Sequence, residues 1–225
     1  VVDHLDSQQI PFVLLGGGSN TLFSADSPEL SVIVNRIDSI ERIDGTQIRV
    51  ASGMTNMRLL EYCRKEGLGG LEFLAGIPGT IGGAAAVNAG AFGRSISDVL
   101  ESADIISSAG LNRVSRKDFD FSYRNSRFKY GCDVIVSLDL KVSIGDSTQI
   151  SDRISEILKS RGQKHPNYQE KTAGCFFKNP VINGEKISAG RLIEDSGLKG
   201  KCFERIAVSD QHSNFIVNRK DAEFK

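Results

Sequence analysis

The chain has 225 residues, 40% of them hydrophobic, and its 28 Lys and Arg balance 28 Asp and Glu. That length suits one large domain or two small ones with a real core. The balanced charge and the lack of a basic run with interleaved aromatics argue against a nucleic-acid binder, and no stretch approaches the roughly 18 apolar residues of a membrane span.

Taken in order, the chain starts at Val1 without Met, and we expect it to be trimmed at both ends; no signal peptide is visible. Phe12-Val13-Leu14-Leu15 reads as a buried strand running into a loop, Gly16-Gly17-Gly18-Ser19-Asn20. Leu30 to Ile37 is a second strand. Ile40–Ile43 and Gln47–Val50 flank Asp44-Gly45-Thr46, and Asp-Gly is a strong hairpin signal. Thr55 to Glu66 predicts a helix, capped by Thr55 or Asn56, with Leu59, Leu60 and Cys63 on one face and Gly67 as its stop.

The stretch from Gly67 to Gly93 contains nine Gly and six Ala in 27 residues. Pro78 falls where a first helical turn tolerates it, so Gly79 to Val87 is expected to form a short helix aimed at a ligand. Val134, Val136, Leu138, Leu140 and Val142 alternate with Ile135, Ser137, Asp139, Lys141 and Ser143, a half-buried strand of period two. Ser147 to Arg161 is an amphipathic helix with Ile150, Ile154, Ile157 and Leu158 inward. Ser188 to Ser196 is a second helix, capped by Ser188 and ended by Gly197. Ala207-Val208 and Phe215-Ile216-Val217 are the last strands. The change of pattern places a boundary between residues 143 and 144.

Two glycine-rich loops in one chain suggest backbone brought close to a large anionic cofactor. Amides bared by tiny residues can donate to a pyrophosphate, and Ser19 and Asn20 add side-chain donors. Each loop also has a plain structural reading: a tight strand-to-loop turn for Gly16–Gly18, close helix–sheet packing for Gly76–Gly83. Gly-Gly-Gly is not Gly-x-Gly-x-x-Gly, so a Rossmann reading is weak. The four cysteines, Cys63, Cys132, Cys175 and Cys202, are irregularly spaced without Cys-x-x-Cys. They read as reduced thiols of a cytoplasmic protein. His4, His165 and His212 have no metal-ligand spacing and read as ordinary surface or structural residues.

Five motifs occur in an order that resembles the UDP-N-acetylenolpyruvoylglucosamine reductase family. They are Leu15-Gly16-Gly17-Gly18-Ser19-Asn20, Gly76-Ile77-Pro78-Gly79-Thr80-Ile81-Gly82-Gly83, Asn88-Ala89-Gly90-Ala91-Phe92-Gly93, Tyr123-Arg124-Asn125-Ser126 and Phe176-Phe177-Lys178-Asn179-Pro180. The resemblance implies an α+β fold: a vanillyl-alcohol-oxidase (PCMH) type FAD-binding domain at 1–143, then a smaller α+β substrate-binding domain at 144–225. The short connection from Tyr123 to Cys175 looks like the family's compact variant.

The resemblance further implies FAD as cofactor, NADPH as co-substrate and a nucleotide-sugar substrate, UDP-N-acetylglucosamine enolpyruvate, reduced for peptidoglycan synthesis. NADPH would reduce the flavin at N5 and leave, and hydride would then pass from N5 to C3 of the enolpyruvyl group. Gly16, Gly17, Gly18, Ser19, Asn20, Gly76, Ile77, Pro78, Gly79, Thr80, Gly82 and Gly83 would hold FAD. Asn88, Ala89, Gly90 and Ala91 would line its ring or ribityl chain, with Val136 or a neighbour beside the flavin. Arg124 would clamp the substrate carboxylate bidentately, with Tyr123 on the substrate.

Cys175 stands where most family members carry the Ser that protonates C2. A thiol, with a reference pKa of about 8.5, can do that work, although a free Cys is also often just a small buried hydrophobe. Lys178 and Asn179 would reach the diphosphate or a flavin carbonyl; Lys178 reads equally as a solvated charge. The family's C-terminal catalytic Glu has no counterpart before residue 225, which we expect reflects trimming. Other readings are an FAD oxidase of the same fold acting on an alcohol or lactone, disfavoured by the lack of a His or Cys placed for covalent flavin attachment, and a flavin-binding module without catalysis.

Overall fold

The computed structural model describes residues 2–24, 26, 30–167 and 170–223. They fall into two units: Val1–Gly18 with Glu29–Leu158, and Ser19–Pro28 with Lys159–Lys225. The mixture of strands and helices is α+β, as expected.

The first unit opens with α1 (Val2–Ser7), β1 (Phe12–Leu15) and β2 (Ser31–Val34). β1 and β2 pair in parallel, with Phe12 opposite Ser31 and Leu15 opposite Val34. β1 is half-buried along its whole length rather than buried. It has one ladder partner, and its two-stranded sheet is covered less than a central strand would be.

A five-stranded antiparallel sheet follows, built from β3 (Ile40–Arg42), β4 (Gln47–Ala51), β8 (Leu100–Ser107), β9 (Gly110–Ser115) and β10 (Val134–Lys141) in the order β3-β4-β10-β8-β9. The Asp44-Gly45 hairpin forms as expected and joins β3 to β4. Asp44 closes it by accepting the Thr46 N–H at 2.6 Å. Between β4 and β8 lie α2 (Asn56–Lys65), β5 (Leu68–Gly69), α3 (Ile81–Ala86), β6 (Gly90–Ala91) and β7 (Arg94–Ser95). α2 matches the sequence reading: Thr55 caps it by accepting from the Arg58 N–H, and Leu59, Leu60 and Cys63 are buried.

β10 sits at the centre and departs from the half-buried expectation, because both its faces are covered. On one face, Val50, Leu138 and Ala103 align across three strands, and so do Ile48, Leu140 and Leu100; all are essentially inaccessible. Each such Leu or Ile contributes roughly 1.5–3 kcal/mol by burial. On the other face, Asp139 is only 3% exposed. Arg49 donates to it at 2.8 and 3.1 Å, Ser102 at 3.1 Å, and Arg113 bonds it from β9. The long Arg stems lie over the sheet and seal a charge that alternation alone would have left wet. Register shifts at Ile135/Ser137 and Asp139/Leu140 further break the strict period of two.

β11 (Ser143–Ile144) pairs with β5, and α4 (Ser147–Lys164) follows. Ile150, Ile154 and Ile157 of α4 belong to the hydrophobic cluster that contains Leu68 and Leu71. The first unit therefore runs through Leu158, and the expected division at 143/144 falls inside it.

The second unit carries β12 (Val181–Ile182), β13 (Glu185–Lys186), α5 (Ala189–Asp195), β14 (Cys202–Phe203), β15 (Ile206–Val208) and β16 (Ile216–Asn218). β12 and β13 form a small hairpin, and β14-β15-β16 a three-stranded antiparallel sheet. Ser188 caps α5 by accepting from the Arg191 N–H, as expected, and Gly197 leaves it with φ +70°.

Candidate active site

The two glycine loops of the first unit meet. A Cβ on Gly17 would lie 2.8 Å from the Gly79 Cα, and one on Gly16 would lie 2.3 Å from the Thr80 Oγ1. The loops thus touch backbone to backbone, which only residues without side chains allow. Gly18 is different: it has φ +67° and nothing within 4 Å of its missing Cβ. Gly17 and Gly18 are exposed, so this edge of the first loop is accessible to a ligand. Ser19 and Asn20 fall in the second unit.

Asn56, 1% exposed, fixes the second loop from behind. Its N–H donates to Gly79 O at 3.1 Å and its Nδ2 to Ile77 O at 3.0 Å. In a trans peptide the N–H points opposite to the C=O, so the Thr80 N–H faces away from Asn56.

The helix after this loop differs from the expectation. α3 starts at Ile81 with Thr80 as its cap, so Pro78 lies before the cap and not in the first turn. Its leading amides are also occupied: Ile81 N–H donates to Met54 O, Gly82 N–H to Ser52 O, both at 2.9 Å, and Gly83 N–H to Thr80 Oγ1 at 3.3 Å. α3 therefore presents no ready anion-binding N-terminus. A Cβ on Gly82 would stand 2.6 Å from the Ser52 Cβ. Gly82 lets the helix pack on the end of β4, which is the packing reading of this motif.

The next motif folds back toward the Tyr123-Arg124 turn. Asn88 adopts φ +45° and is 8% exposed. Its Nδ2 donates to Ser122 O at 3.0 Å and its Oδ1 accepts the Ser97 N–H at 3.1 Å. Its amide thus pins protein backbone on both sides. Ala89 is buried and Ala91 half-buried. Gly90 pairs with Ser95, and a Cβ on it would meet Arg94 O at 2.4 Å. Phe92 and Gly93, with φ +53° and +77°, close the β6–β7 hairpin, a type I′ signature that the sequence reading passed over.

Ser122 and Asn125 exchange backbone bonds at 3.1 and 3.2 Å, which puts Tyr123 and Arg124 at the tip of a tight turn. Arg124 is held at φ +55°. A left-handed conformation costs a non-glycine residue roughly 1–2 kcal/mol, and such strain concentrates at functional sites. Its Nη2 donates to Gly90 O at 2.6 Å. A guanidinium carries five N–H donors, so this bond orients the fork without exhausting it. Tyr123 is 43% exposed, with the Arg124 guanidinium 5.9 Å from its ring centre. Val136 is half-buried on β10, where its carbonyl accepts the Ser52 N–H.

Cys175, Lys178 and Asn179 lie in the second unit. Cys175 and Lys178 are exposed, and none of the four cysteines forms a disulfide. Asn179 Oδ1 accepts the Ala189 N–H at 3.0 Å, which ties the loop to the start of α5. Cys175 forms a bridge with Phe215, and the Phe176 N–H donates to Asn214 O at 3.0 Å. The Asn214 side chain grips Phe177 at both ends, with Phe177 N–H to Oδ1 at 2.9 Å and Nδ2 to Phe177 O at 2.8 Å. Behind it, the His165 and His212 rings stack 5.1 Å apart, with Phe215 edge-on to both. The sequence reading treated these histidines as ordinary; a separation of nearly fifty residues carries no signal of the contact.

The FAD binding domain family matches residues 1–113, and the UDP-N-acetylenolpyruvoylglucosamine reductase C-terminal domain family matches residues 165–225. The chain is 37% identical over 220 residues to the UDP-N-acetylenolpyruvoylglucosamine reductase of Chlamydia felis, covering 97% of this chain and 72% of that protein. It is 40% identical over 218 residues to the enzyme of that name from Geobacter sulfurreducens, covering 94% and 69%. The crystal structure of the Thermus caldophilus reductase superposes with a TM-score of 0.82 at 31% identity, covering 99% of this chain and 80% of that one.

Proposed function

Because this chain belongs to the UDP-N-acetylenolpyruvoylglucosamine reductase family, we propose that it catalyses the NADPH-dependent, FAD-mediated reduction of UDP-N-acetylglucosamine enolpyruvate to UDP-N-acetylmuramate. The first unit has the features an FAD-holding domain needs: two glycine loops in backbone contact, an exposed Gly17-Gly18 edge and a Thr80 N–H turned away from its support. We assign the pyrophosphate to Gly16–Gly18 and to the Gly76–Thr80 loop, with Gly82 and Gly83 in support. The bound flavin supplies hydride transfer from NADPH to C3 of the enolpyruvyl group.

The residues of this chain supply position, charge and a proton. Arg124, oriented by its bond to Gly90 O, holds the enolpyruvyl carboxylate and stabilises the negative charge that develops toward it. Tyr123 flanks the same substrate from the exposed turn. Cys175, in place of the family's usual Ser, donates its thiol proton to C2. Lys178 faces the diphosphate as a point charge, and Asn179 holds the loop that carries both. We assign flavin binding to the first unit and the Cys175 proton donor to the second. Among the described residues no helix is long and apolar enough to cross a membrane, and a cytoplasmic site suits a nucleotide-sugar substrate.

The observation that carries this reading is the strained Arg124, tied through Asn88 and Gly90 to the small-residue segment. The test is steady NADPH oxidation by FAD-loaded protein. Oxidation that requires the enolpyruvyl nucleotide supports the reductase; oxygen uptake with an alcohol or sugar lactone, and no response to the nucleotide, overturns it.

A further inference from the structure

We propose that Asn214 is a positioning residue for the loop carrying Cys175, and that His212 orients it through a hydrogen bond only a neutral imidazole can accept. This rests on the reading of Cys175 as the proton donor. Asn214 is 4% exposed and makes three bonds to the two residues after Cys175, at 3.0, 2.9 and 2.8 Å. Together with the Cys175–Phe215 bridge, they fix the backbone on which the thiol is mounted while leaving Cys175 itself exposed. Satisfying both the N–H and the C=O of one residue takes an acceptor and a donor on the same side chain, which the Asn214 amide supplies in one orientation; a carboxylate has no donor for the carbonyl.

The orientation of Asn214 is set in turn. Its backbone N–H donates to His212 Nδ1 at 3.2 Å. A backbone N–H can only donate, so Nδ1 must carry its lone pair and any proton of the neutral ring must sit on Nε2. Protonation at Nδ1 would set two donors head to head. The ring is packed between His165 and Phe215. Lys199 and Glu194, themselves paired at 2.9 Å, face His212, while Arg161 and Lys164 face His165. Burial first, then the neighbouring cations, push both imidazoles below their ordinary range, which keeps His212 neutral at neutral pH. As pH falls through that lowered value, the bond to Asn214 is lost and the Cys175 loop loses its clamp.

The experiment separates the two half-reactions of the FAD-loaded full chain by stopped flow. Asn214→Asp is expected to slow reoxidation of reduced flavin by the enolpyruvyl nucleotide by about 10²-fold, the effect of roughly 1 Å of misplacement at a reacting group. Flavin reduction by NADPH is expected to change by less than about threefold, well short of the 10²-fold effect of misplacing a reacting group. His212→Asn, whose amide oxygen accepts the Asn214 N–H but does not titrate, is expected to lose the acid limb of the reoxidation rate; His212→Phe, which keeps the ring packing without an acceptor, is expected to slow reoxidation at every pH.

Should Asn214→Asp fail to fold, the two His212 variants carry the test. Equal slowing of both half-reactions, or an unchanged acid limb in His212→Asn, overturns the proposal. Cys175→Ala separates it from the reading beneath: if that variant reoxidises like the native chain, the proton-donor assignment fails, and amide hydrogen exchange at Phe176 and Phe177 decides the clamp. Faster exchange in His212→Phe supports the clamp; unchanged protection refutes it.

Discussion

Replacing Arg124 with Gly should separate stability from catalysis. Arg124 sits at φ +55°, where glycine regains roughly 1–2 kcal/mol of strain. Against that, the variant loses the bond to Gly90 O, worth about 1.5–3 kcal/mol for a charged donor, and adds about 0.5–1 kcal/mol of unfolded-chain entropy. The terms nearly cancel, so unfolding by urea should show a loss of only about 1 kcal/mol, near 2–4 °C in Tm for a chain of this size. Arg124→Ala keeps the strain and loses the bond, so it should be the less stable variant by about 1 kcal/mol. Both should slow nucleotide-driven reoxidation of the flavin by about 10²–10³, the scale set by removing one donor from a developing anion. The reasoning fails if Ala is as stable as Gly, because the strain is then not real, or if Arg124→Gly keeps more than about a tenth of the native rate.

Other perturbations probe separate parts of the account. Cys175→Ser should retain turnover and become resistant to peroxide and iodoacetamide, whereas Cys175→Ala should slow reoxidation by about 10²–10⁴; rapid-mixing kinetics with and without alkylation checks both. Gly17→Ala places a methyl 2.8 Å from the Gly79 Cα, so it should cost about 1–3 kcal/mol and weaken FAD binding in a flavin-fluorescence titration. Asp139→Ala removes the partner shared by Arg49 and Arg113, but both side chains reach solvent and Arg113 keeps Asp104, so chemical denaturation should show a loss of about 1–3 kcal/mol.

The Cys63 thiol is pushed up to about 12 by burial and then by Glu72, from 9.0 when exposed. The folded state therefore resists ionisation that the unfolded chain accepts. Its contribution is intact below pH 9.0 and falls as pH rises toward about 12, by up to roughly 1.4 kcal/mol per pH unit. Urea midpoints of the native chain should decline more steeply across that window than those of Cys63→Ala.

Much of the fold was legible because its signals are local. Asp44-Gly45, the Thr55 cap with Gly67 beyond it, and the Ile150/Ile154/Ile157 stripe each announce one element through a few neighbouring residues. β8 and β9 escaped the reading because Leu-Glu-Ser-Ala-Asp-Ile-Ile-Ser lacks clean alternation; its Ser102 and Asp104 face a ladder of Arg and Asp from β4, β9 and β10. The division expected at 143/144 and the compact units part company at α4 for a related reason: a change of local pattern at 144 says nothing about which core the next helix joins. At the site, the glycine loops and Arg124 were marked by residue types with few other uses. The occupation of the α3 amides by Met54, Ser52 and Thr80, and the grip of Asn214 on Phe177, depend on residues far apart in the chain. No spacing rule reveals them.

The central claim is that this chain's own residues deliver charge stabilisation and a proton to an enolpyruvyl nucleotide reduced by its bound flavin. Anaerobic mixing of the NADPH-reduced, FAD-loaded chain with UDP-N-acetylglucosamine enolpyruvate tests it in one turnover. Recovery of the oxidised flavin absorbance in step with formation of UDP-N-acetylmuramate is the predicted result. Flavin that stays reduced until oxygen is admitted would contradict it.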